Sequence, residues 1–202
     1  MPTAALVLLV AYFAIAFGLR SWIHWRRTGT SGFKGISGRA GSAEWIGGVL
    51  FVVALGASAG APLAELAGVV RPWAALGGPL ARAVGFTCCA AGIASTLWAQ
   101  LAMGDSWRVG VDERERTALV ASGPFRLVRN PIYTSMLLGM GGLALLTPNL
   151  LAAVAVTALV VALELQVRRV EEPHLLRVHT GEYAAYAART GRFLPGIGRL
   201  GA

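Results

Sequence analysis

The sequence alternates long apolar stretches with shorter segments in which polar and basic residues are concentrated. Three uncharged stretches cover residues 3–19, 45–64 and 83–104. Each comes close to the roughly 20 apolar residues that an α-helix needs to cross the hydrocarbon core of a bilayer. We therefore predict three transmembrane helices in the first half of the chain.

A fourth apolar stretch, residues 130–163, contains no charged residue and is too long for one straight span at about 1.5 Å per residue. Pro148 and Asn149 lie near its middle, and this pair is typical of a turn. We therefore predict a helical hairpin with helices over 131–146 and 149–167. The whole pattern predicts an all-α, polytopic membrane bundle of five transmembrane helices.

The composition agrees with a chain that meets lipid. Hydrophobic residues make up 55% of it and charged residues only 14%, whereas a soluble domain carries about a quarter charged residues. The net charge of +8 raises nucleic-acid binding as an alternative. Long uncharged stretches separate the basic residues, however, so loops between membrane spans explain the charge better. We expect membrane lipids and no nucleic acid as partners.

The basic residues also predict an orientation in the membrane. The segments 20–44, 105–129 and 168–202 hold 16 of the 18 Lys and Arg residues, and only Arg71 and Arg82 lie elsewhere. Loops rich in Lys and Arg stay in the cytoplasm. We therefore predict that the N-terminus lies outside and the C-terminus in the cytoplasm.

These boundaries divide the chain into two parts. Residues 1–104 would form three transmembrane helices with a basic inside loop, and residues 105–202 would form the hairpin with a polar segment on either side. Cys88 and Cys89 are adjacent within an apolar stretch and have no metal-ligand spacing. We therefore expect neither a disulfide framework nor a metal site.

Residues that could carry chemistry concentrate after residue 104. Asn130-Pro131 interrupts the chain where it enters the hairpin, because the residue before a proline avoids the helical conformation. Residues 122–124, Ser-Gly-Pro, form a second turn just upstream. Phe125 and Tyr133 would offer stacking faces at these turns. Together the turns predict a wall for a nucleotide-like group.

On the other side of the hairpin, a row of charges continues the last helix. Glu164, Arg168 and Glu172 are spaced four residues apart, which predicts that they share one helix face. Such a row could pair with a sulfonium and an amino-acid head group on one side and with a substrate anion on the other. The alternative is an ordinary, solvated and self-paired helix end.

The order of these segments resembles the membrane methyltransferases of the isoprenylcysteine carboxyl methyltransferase and phospholipid methyltransferase family. That family carries a pattern close to L-V-T-S-G-P-[YF]-x-x-[VT]-R-[HN]-P-x-Y, a membrane hairpin, a Glu pair, a glycine, two tyrosines and an R-F-x-P close. The matching residues here are Leu119–Phe125, Arg129–Tyr133, Glu171–Glu172, Tyr183, Tyr186 and Arg192–Pro195. The resemblance covers residues 105–198, about half of the chain.

The resemblance implies that residues 105–202 form a cytoplasmic, cofactor-binding catalytic region that encloses S-adenosylmethionine. The implied cofactor-binding residues are Thr117, Ala118, Leu119, Val120, Phe125, Arg129, Asn130, Pro131, Tyr133, Glu171, Glu172, Tyr183 and Tyr186. The catalytic candidates are Arg168 and Arg169, either of which would hold an anionic group, and Glu172. Glu171 or Glu172 would face the charged end of the cofactor.

Two departures from the family pattern stand out. Asn130 takes the place of the commoner histidine, so a role that needs an imidazole at this position is excluded. Gly181 follows the Glu pair one place later than the family's glycine, whereas Tyr183 keeps its place.

Methyl transfer from a sulfonium depends on alignment more than on acid–base help. An ionised carboxylate acceptor needs no base, whereas an amine must first lose a proton. His24, His174 and His179 are expected to be interfacial rather than catalytic. We therefore expect a carboxylate or thiolate-like acceptor on a lipophilic molecule, and the resemblance favours the carboxylate of an isoprenylcysteine-like or other lipid substrate. The alternatives are an NADPH-dependent membrane reductase of sterols or isoprenoids, and a non-enzymatic membrane scaffold.

Overall fold

A computed structural model describes residues 1–31, 38–104, 107 and 118–201. These residues form six main helices, α1 to α6, which are Pro2–Thr28, Ala43–Leu66, Pro79–Ala102, Pro131–Leu146, Leu150–Leu165 and Glu172–Arg189. Two short 3-10 helices, Ala74–Leu76 and Gly123–Arg126, lie between them. Within the described part of the chain, β-type pairing is limited to isolated bridges, Val128 with Gly191 and Leu194 with Ile197. The predicted all-α class is confirmed.

Among the described residues, four helical segments are long and apolar enough to cross a membrane. They are α1, α2, α3 and the segment Leu150–Arg189, which contains α5 and α6. The first arm of the predicted hairpin, α4, is an apolar helix of 16 residues with a length of about 24 Å at 1.5 Å per residue. The protein is therefore an integral membrane protein with four candidate spans, and a fifth crossing by α4 stays a prediction.

The last helix extends far beyond its apolar part. Leu150–Arg189 contains 40 residues with a kink at Thr180. The part before the kink, residues 150–179, alone corresponds to about 45 Å of helix, against a hydrocarbon core of about 30 Å. Its apolar half is α5, and a π-helical turn over Gln166–Glu171 leads into the polar α6. We therefore place α6 outside the membrane-crossing part of the chain.

Helices α3 and α4 approach each other closely because glycines face one another between them. A Cβ atom built on Gly92 would lie 2.7 Å from the Gly139 Cα, and one on Gly142 would lie 2.7 Å from the Cys89 backbone nitrogen. Small residues let helix backbones meet in this way within membranes. Gly139 and Gly142 thus lie at this contact, whereas Gly141 has open space beside it.

Asn149 fixes the tip of the hairpin. Its Oδ1 accepts a hydrogen bond from the Ala152 backbone at 3.1 Å and caps α5, while its Nδ2 donates to the Ala61 carbonyl of α2 at 3.1 Å. At the other end of α5, a Cβ atom built on Gly47 would lie 3.5 Å from the Ala162 carbonyl. The first half of the chain therefore packs directly against the hairpin.

The residues after α6 fold back onto the start of α4. The Arg129 backbone nitrogen donates to the Gly191 carbonyl at 2.8 Å, and that of Asn130 donates to the Arg192 carbonyl at 3.1 Å. A side chain on Gly191 would overlap the Leu194 carbonyl, so the turn in this tail requires a glycine there. The tail therefore brings Arg192 beside the entry to the hairpin.

Candidate functional site

Three buried charged residues join the tail, the hairpin entry and α6. The Arg129 Nη2 lies 2.6 Å from the Glu172 Oε1, and the Arg192 Nε and Nη2 lie 2.8 and 2.9 Å from the two oxygens of the same carboxylate. Arg129 also donates to the backbone carbonyls of Ala187 at 3.1 Å and Gly198 at 3.0 Å. We call Arg129, Glu172 and Arg192 the arginine clasp.

The clasp keeps its carboxylate ionised. Burial by itself would raise the pKa of Glu172, but the hydrogen bonds and charges of Arg192 and Arg129 outweigh it and lower this pKa. Breaking a buried ion pair by removing one partner costs several kcal/mol, about 3–5, because the other charge is left unpaired. The arrangement therefore suits a structural fastening.

The neighbouring carboxylate has a different environment. The Tyr133 hydroxyl, from the first turn of α4, donates to Glu171 Oε1. The Gln166 Nε2 lies 3.4 Å from the same oxygen. The hairpin entry and the Glu pair thus meet twice, through Arg129 with Glu172 and through Tyr133 with Glu171.

A cavity of about 700 Å³ opens beside Tyr133 and Glu171. Predicted cofactor-binding residues from three separate segments line it, namely Ala118, Leu119, Val120, Phe125, Arg129, Asn130, Pro131, Tyr133, Glu171, Tyr183 and Tyr186. Tyr186 also donates to the Phe125 carbonyl at 2.6 Å, which ties α6 to the turn before the hairpin. Burial raises the pKa of Tyr183 to about 12, so its hydroxyl stays neutral. We call this part of the cavity the polar end.

The three catalytic candidates do not lie on this wall. Arg168 and Arg169 are exposed, and Arg168 pairs with Glu164. Glu172 is absent from the described lining because the clasp holds it behind the wall. Thr117, the remaining predicted cofactor residue, lies outside the described residues.

The predicted shared face of Glu164, Arg168 and Glu172 is wrong, and the π-helical turn explains why. The side chains of Glu164 and Arg168 are 37% and 54% exposed, whereas that of Glu172 is 7% exposed. A spacing of four residues matches a face only in a regular α-helix. The wider turn over Gln166–Glu171 shifts the register and rotates Glu172 toward the bundle.

The opposite end of the cavity is apolar and lies among the membrane helices. Its lining comes from α1, α2, α4 and α5, namely Tyr12, Phe13, Phe17, Phe51, Val52, Leu55, Met136 and Leu163. A smaller cavity of about 30 Å³ shares five of these residues and reaches Leu9 and Leu143. We call this part the apolar arm. The whole cavity thus connects a polar surface to a hydrocarbon-like interior.

Several lining residues were not predicted from the sequence. Tyr12, Thr96 and Gln100 come from the first half of the chain, and His174 and His179 come from α6. The histidines were expected to lie at the interface, and both line the cavity. Gln100 lies inside an uncharged predicted span, and polar residues within spans commonly mark functional sites. Its position was therefore the signal in the sequence that could have identified it as a cavity residue.

The fold and the site define a class of protein, an integral membrane bundle with a cavity that joins a polar end to an apolar arm. The model of the family described as phospholipid methyltransferase matches residues 80–181, half of the chain. The chain therefore belongs to the phospholipid methyltransferase family. The resemblance inferred from the motif residues is confirmed.

Two curated relatives match a shorter stretch. The cobalt-zinc-cadmium resistance protein CzcN of Cupriavidus metallidurans is 40% identical over 85 residues, which are 42% of this chain and 39% of that protein. The nickel-cobalt-cadmium resistance protein NccN of Alcaligenes xylosoxydans xylosoxydans is 35% identical over 85 residues, with the same coverage of 42% and 39%. The chain thus aligns with about two fifths of the length of these relatives. No solved structure matches it.

Proposed function

We propose that this protein transfers a methyl group from S-adenosylmethionine to a lipophilic acceptor. One observation carries the proposal: the cavity lined by the motif residues continues into the apolar arm between the membrane helices. A soluble cofactor and a lipid tail can therefore reach one space from different sides. The family supports methyl transfer and gives no support to the reductase or scaffold alternatives.

The residues at the polar end fit this cofactor. A carboxylate from Glu171 suits its cationic end, and the rings of Phe125 and Tyr133 suit its purine. Asn130 adds an amide whose Nδ2 donates to the Arg192 carbonyl at 3.1 Å, so the orientation of the amide is fixed. A cavity of about 700 Å³ also falls within the range of small-molecule sites, about 300–1,000 Å³.

When bound, the cofactor supplies a methyl carbon on a sulfonium, which bonds to the acceptor atom as the carbon–sulfur bond breaks. The protein's contribution is positioning, which can supply about 7–11 kcal/mol of the barrier in ideal cases. Tyr133 orients the Glu171 carboxylate through its hydroxyl. The arginine clasp holds the hairpin entry and α6 together behind both residues.

We propose a carboxylate on an isoprenylcysteine-like or other lipid molecule as the acceptor. The motif resemblance supports this choice, and an ionised carboxylate needs no general base. The apolar arm would hold the lipid tail. An anion-holding role for Arg168 or Arg169 has no support in the geometry, because both side chains are exposed away from the cavity.

We further propose that the polar end lies at the cytoplasmic face, with the N-terminus outside. The distribution of 16 of the 18 Lys and Arg residues supports this orientation. The exposed Trp22, Trp25 and Trp45 lie near the same end of α1 and α2, as expected of aromatic residues at a membrane interface.

Binding of S-adenosylmethionine to the purified protein in detergent tests the proposal. We expect Glu171→Gln to weaken binding at least about tenfold, because a hydrogen bond to a charged group contributes about 1.5–3 kcal/mol. Glu164→Gln is the matched control, since that carboxylate pairs with the exposed Arg168. Equal affinity in the Glu171→Gln variant, or no binding by the wild-type protein, would contradict the proposal.

A further inference from the structure

Three polar side chains lie inside the apolar spans and line the cavity, apart from the motif residues. They are Tyr12 of α1 and Thr96 and Gln100 of α3. The Tyr12 hydroxyl and the Thr96 hydroxyl lie 3.1 Å apart, within hydrogen-bonding distance. Thr96 is 1% exposed and Gln100 is 3% exposed. Polar groups buried at membrane depth are costly and commonly functional.

The hydrogen bond that Gln100 makes determines which way its amide faces. Its Nε2 donates to the Ala16 carbonyl at 2.8 Å. Only a donor can face a carbonyl, so the reverse amide orientation is excluded and the Oε1 faces away from Ala16. This Oε1 is buried and has no hydrogen-bond partner among the described residues.

The position of Gln100 relates it to the apolar arm. Ala16 belongs to the π-helical turn Ala14–Leu19 of α1, and π-helical turns are frequent at functional sites. Phe13 and Phe17 on either side of Ala16 line the arm, as Tyr12 does. Gln100, whose unpaired Oε1 can accept a hydrogen bond, therefore belongs to the wall beside the apolar arm, which would hold the methyl acceptor.

We infer that Gln100 recognises the methyl acceptor by accepting a hydrogen bond from an N–H or O–H group near the carboxylate. This inference rests on the proposed function and narrows its substrate class to lipophilic acids that carry such a donor, of which an amide N–H is one. A buried acceptor atom left unpaired disfavours a ligand that lacks the donor. Gln100 therefore acts as a specificity residue.

Two acceptor probes that differ in one group test this inference. The first is N-acetyl-S-farnesylcysteine, and the second is its isostere with an ester oxygen in place of the amide N–H. We expect the wild-type protein to methylate the amide with a kcat/KM about tenfold higher, the ratio that one hydrogen bond of about 1.4 kcal/mol produces. Equal values for the two probes would overturn the inference without any variant.

Gln100→Met removes Oε1, the atom that would accept the hydrogen bond, and keeps the side chain at nearly the same size. We expect this variant to lose the preference for the amide while its affinity for S-adenosylmethionine is unchanged. Ser95→Ala is the control, because Ser95 lies on the same helix outside the described lining and its hydroxyl donates to the Ala91 carbonyl at 2.6 Å. A purely structural Gln100 would lower the rates for both probes equally and keep their ratio, which would contradict the inference.

The outcomes also separate this inference from the proposed function. Methyl transfer to a membrane lipid extract but to neither probe would overturn the acceptor class inferred for Gln100 and leave the proposed function standing. A protein that neither binds S-adenosylmethionine nor methylates the extract would overturn both. If Gln100→Met also lowered the affinity for S-adenosylmethionine, Gln100 would contribute to cofactor binding, which would contradict its assignment to the methyl acceptor.

Discussion

Thr180 interrupts α6 with a backbone conformation that a threonine rarely adopts. Its φ is 27° and its ψ is −108°, and it is the one described residue other than glycine with a positive φ. The sequence carries the reason: relative to the family pattern, the glycine comes one place later, at Gly181, so a threonine occupies the position that bends. The bend lies next to His179, which lines the cavity.

We predict that Thr180→Gly stabilises the protein. Glycine reaches positive φ without a steric penalty, so relief of the strain should outweigh the added entropy of the unfolded chain and give about 1 kcal/mol. Thermal unfolding in detergent measures the change. Thr87→Gly provides the control, because Thr87 lies in the regular helix α3 and its replacement should lower the unfolding temperature. A lower unfolding temperature for Thr180→Gly would show that no strain is stored there.

At the scale of helices, the hairpin was the most predictable element and the turn after it the least. Pro131 and the Pro148-Asn149 pair mark the ends of α4 locally, so its predicted range 131–146 is the observed one. The π-helical turn over Gln166–Glu171 leaves no such local mark, because it depends on how the last helix packs. The faces of Arg168 and Glu172 were therefore predicted incorrectly, although both lie in helix as expected.

The contact between α3 and α4 gives a prediction with a control one residue away. Gly142→Ala should destabilise the protein by about 1–3 kcal/mol, the usual cost of overpacking, because its Cβ would lie 2.7 Å from the Cys89 nitrogen and the Gly85 carbonyl. Gly141→Ala should be neutral or slightly stabilising, since open space surrounds its Cβ. Thermal unfolding in one detergent compares the two variants. Equal changes in the unfolding temperatures of the two variants would mean that α3 and α4 are farther apart than described above.

For the whole molecule, the sequence predicted the membrane bundle and the motif side of the cavity but left the other side open. The order of the motif residues in the sequence identifies Arg129 to Tyr133 and the Glu pair as site residues. Tyr12 and Gln100 reach the same cavity only because α1 packs against α3, and the 87 positions between them carry no signal of this contact. Long-range packing of this kind is invisible to a motif.

The orientation and the fifth span can be tested together by labelling single cysteines in intact cells, after Cys88→Ala and Cys89→Ala. The five-span arrangement predicts that a membrane-impermeant maleimide labels Val69→Cys and Leu150→Cys directly. Ile197→Cys should react only after permeabilisation. All three positions are exposed, at 76%, 66% and 63%. Labelling of Ile197→Cys in intact cells, or protection of Leu150→Cys, would contradict the arrangement.

Glu172 and Arg192 of the arginine clasp lie outside the described lining of the cavity. Much of the apolar arm comes from α1 and α2, which precede the family-matched stretch that begins at residue 80. The size of the side chains on these two helices can therefore change without disturbing the ion pairs of the arginine clasp. Under the proposed function, relatives would differ in the lipid tail they prefer through these two helices and keep the same S-adenosylmethionine site. An exchange of α1 and α2 between relatives would then change the preferred lipid tail and leave methyl transfer intact.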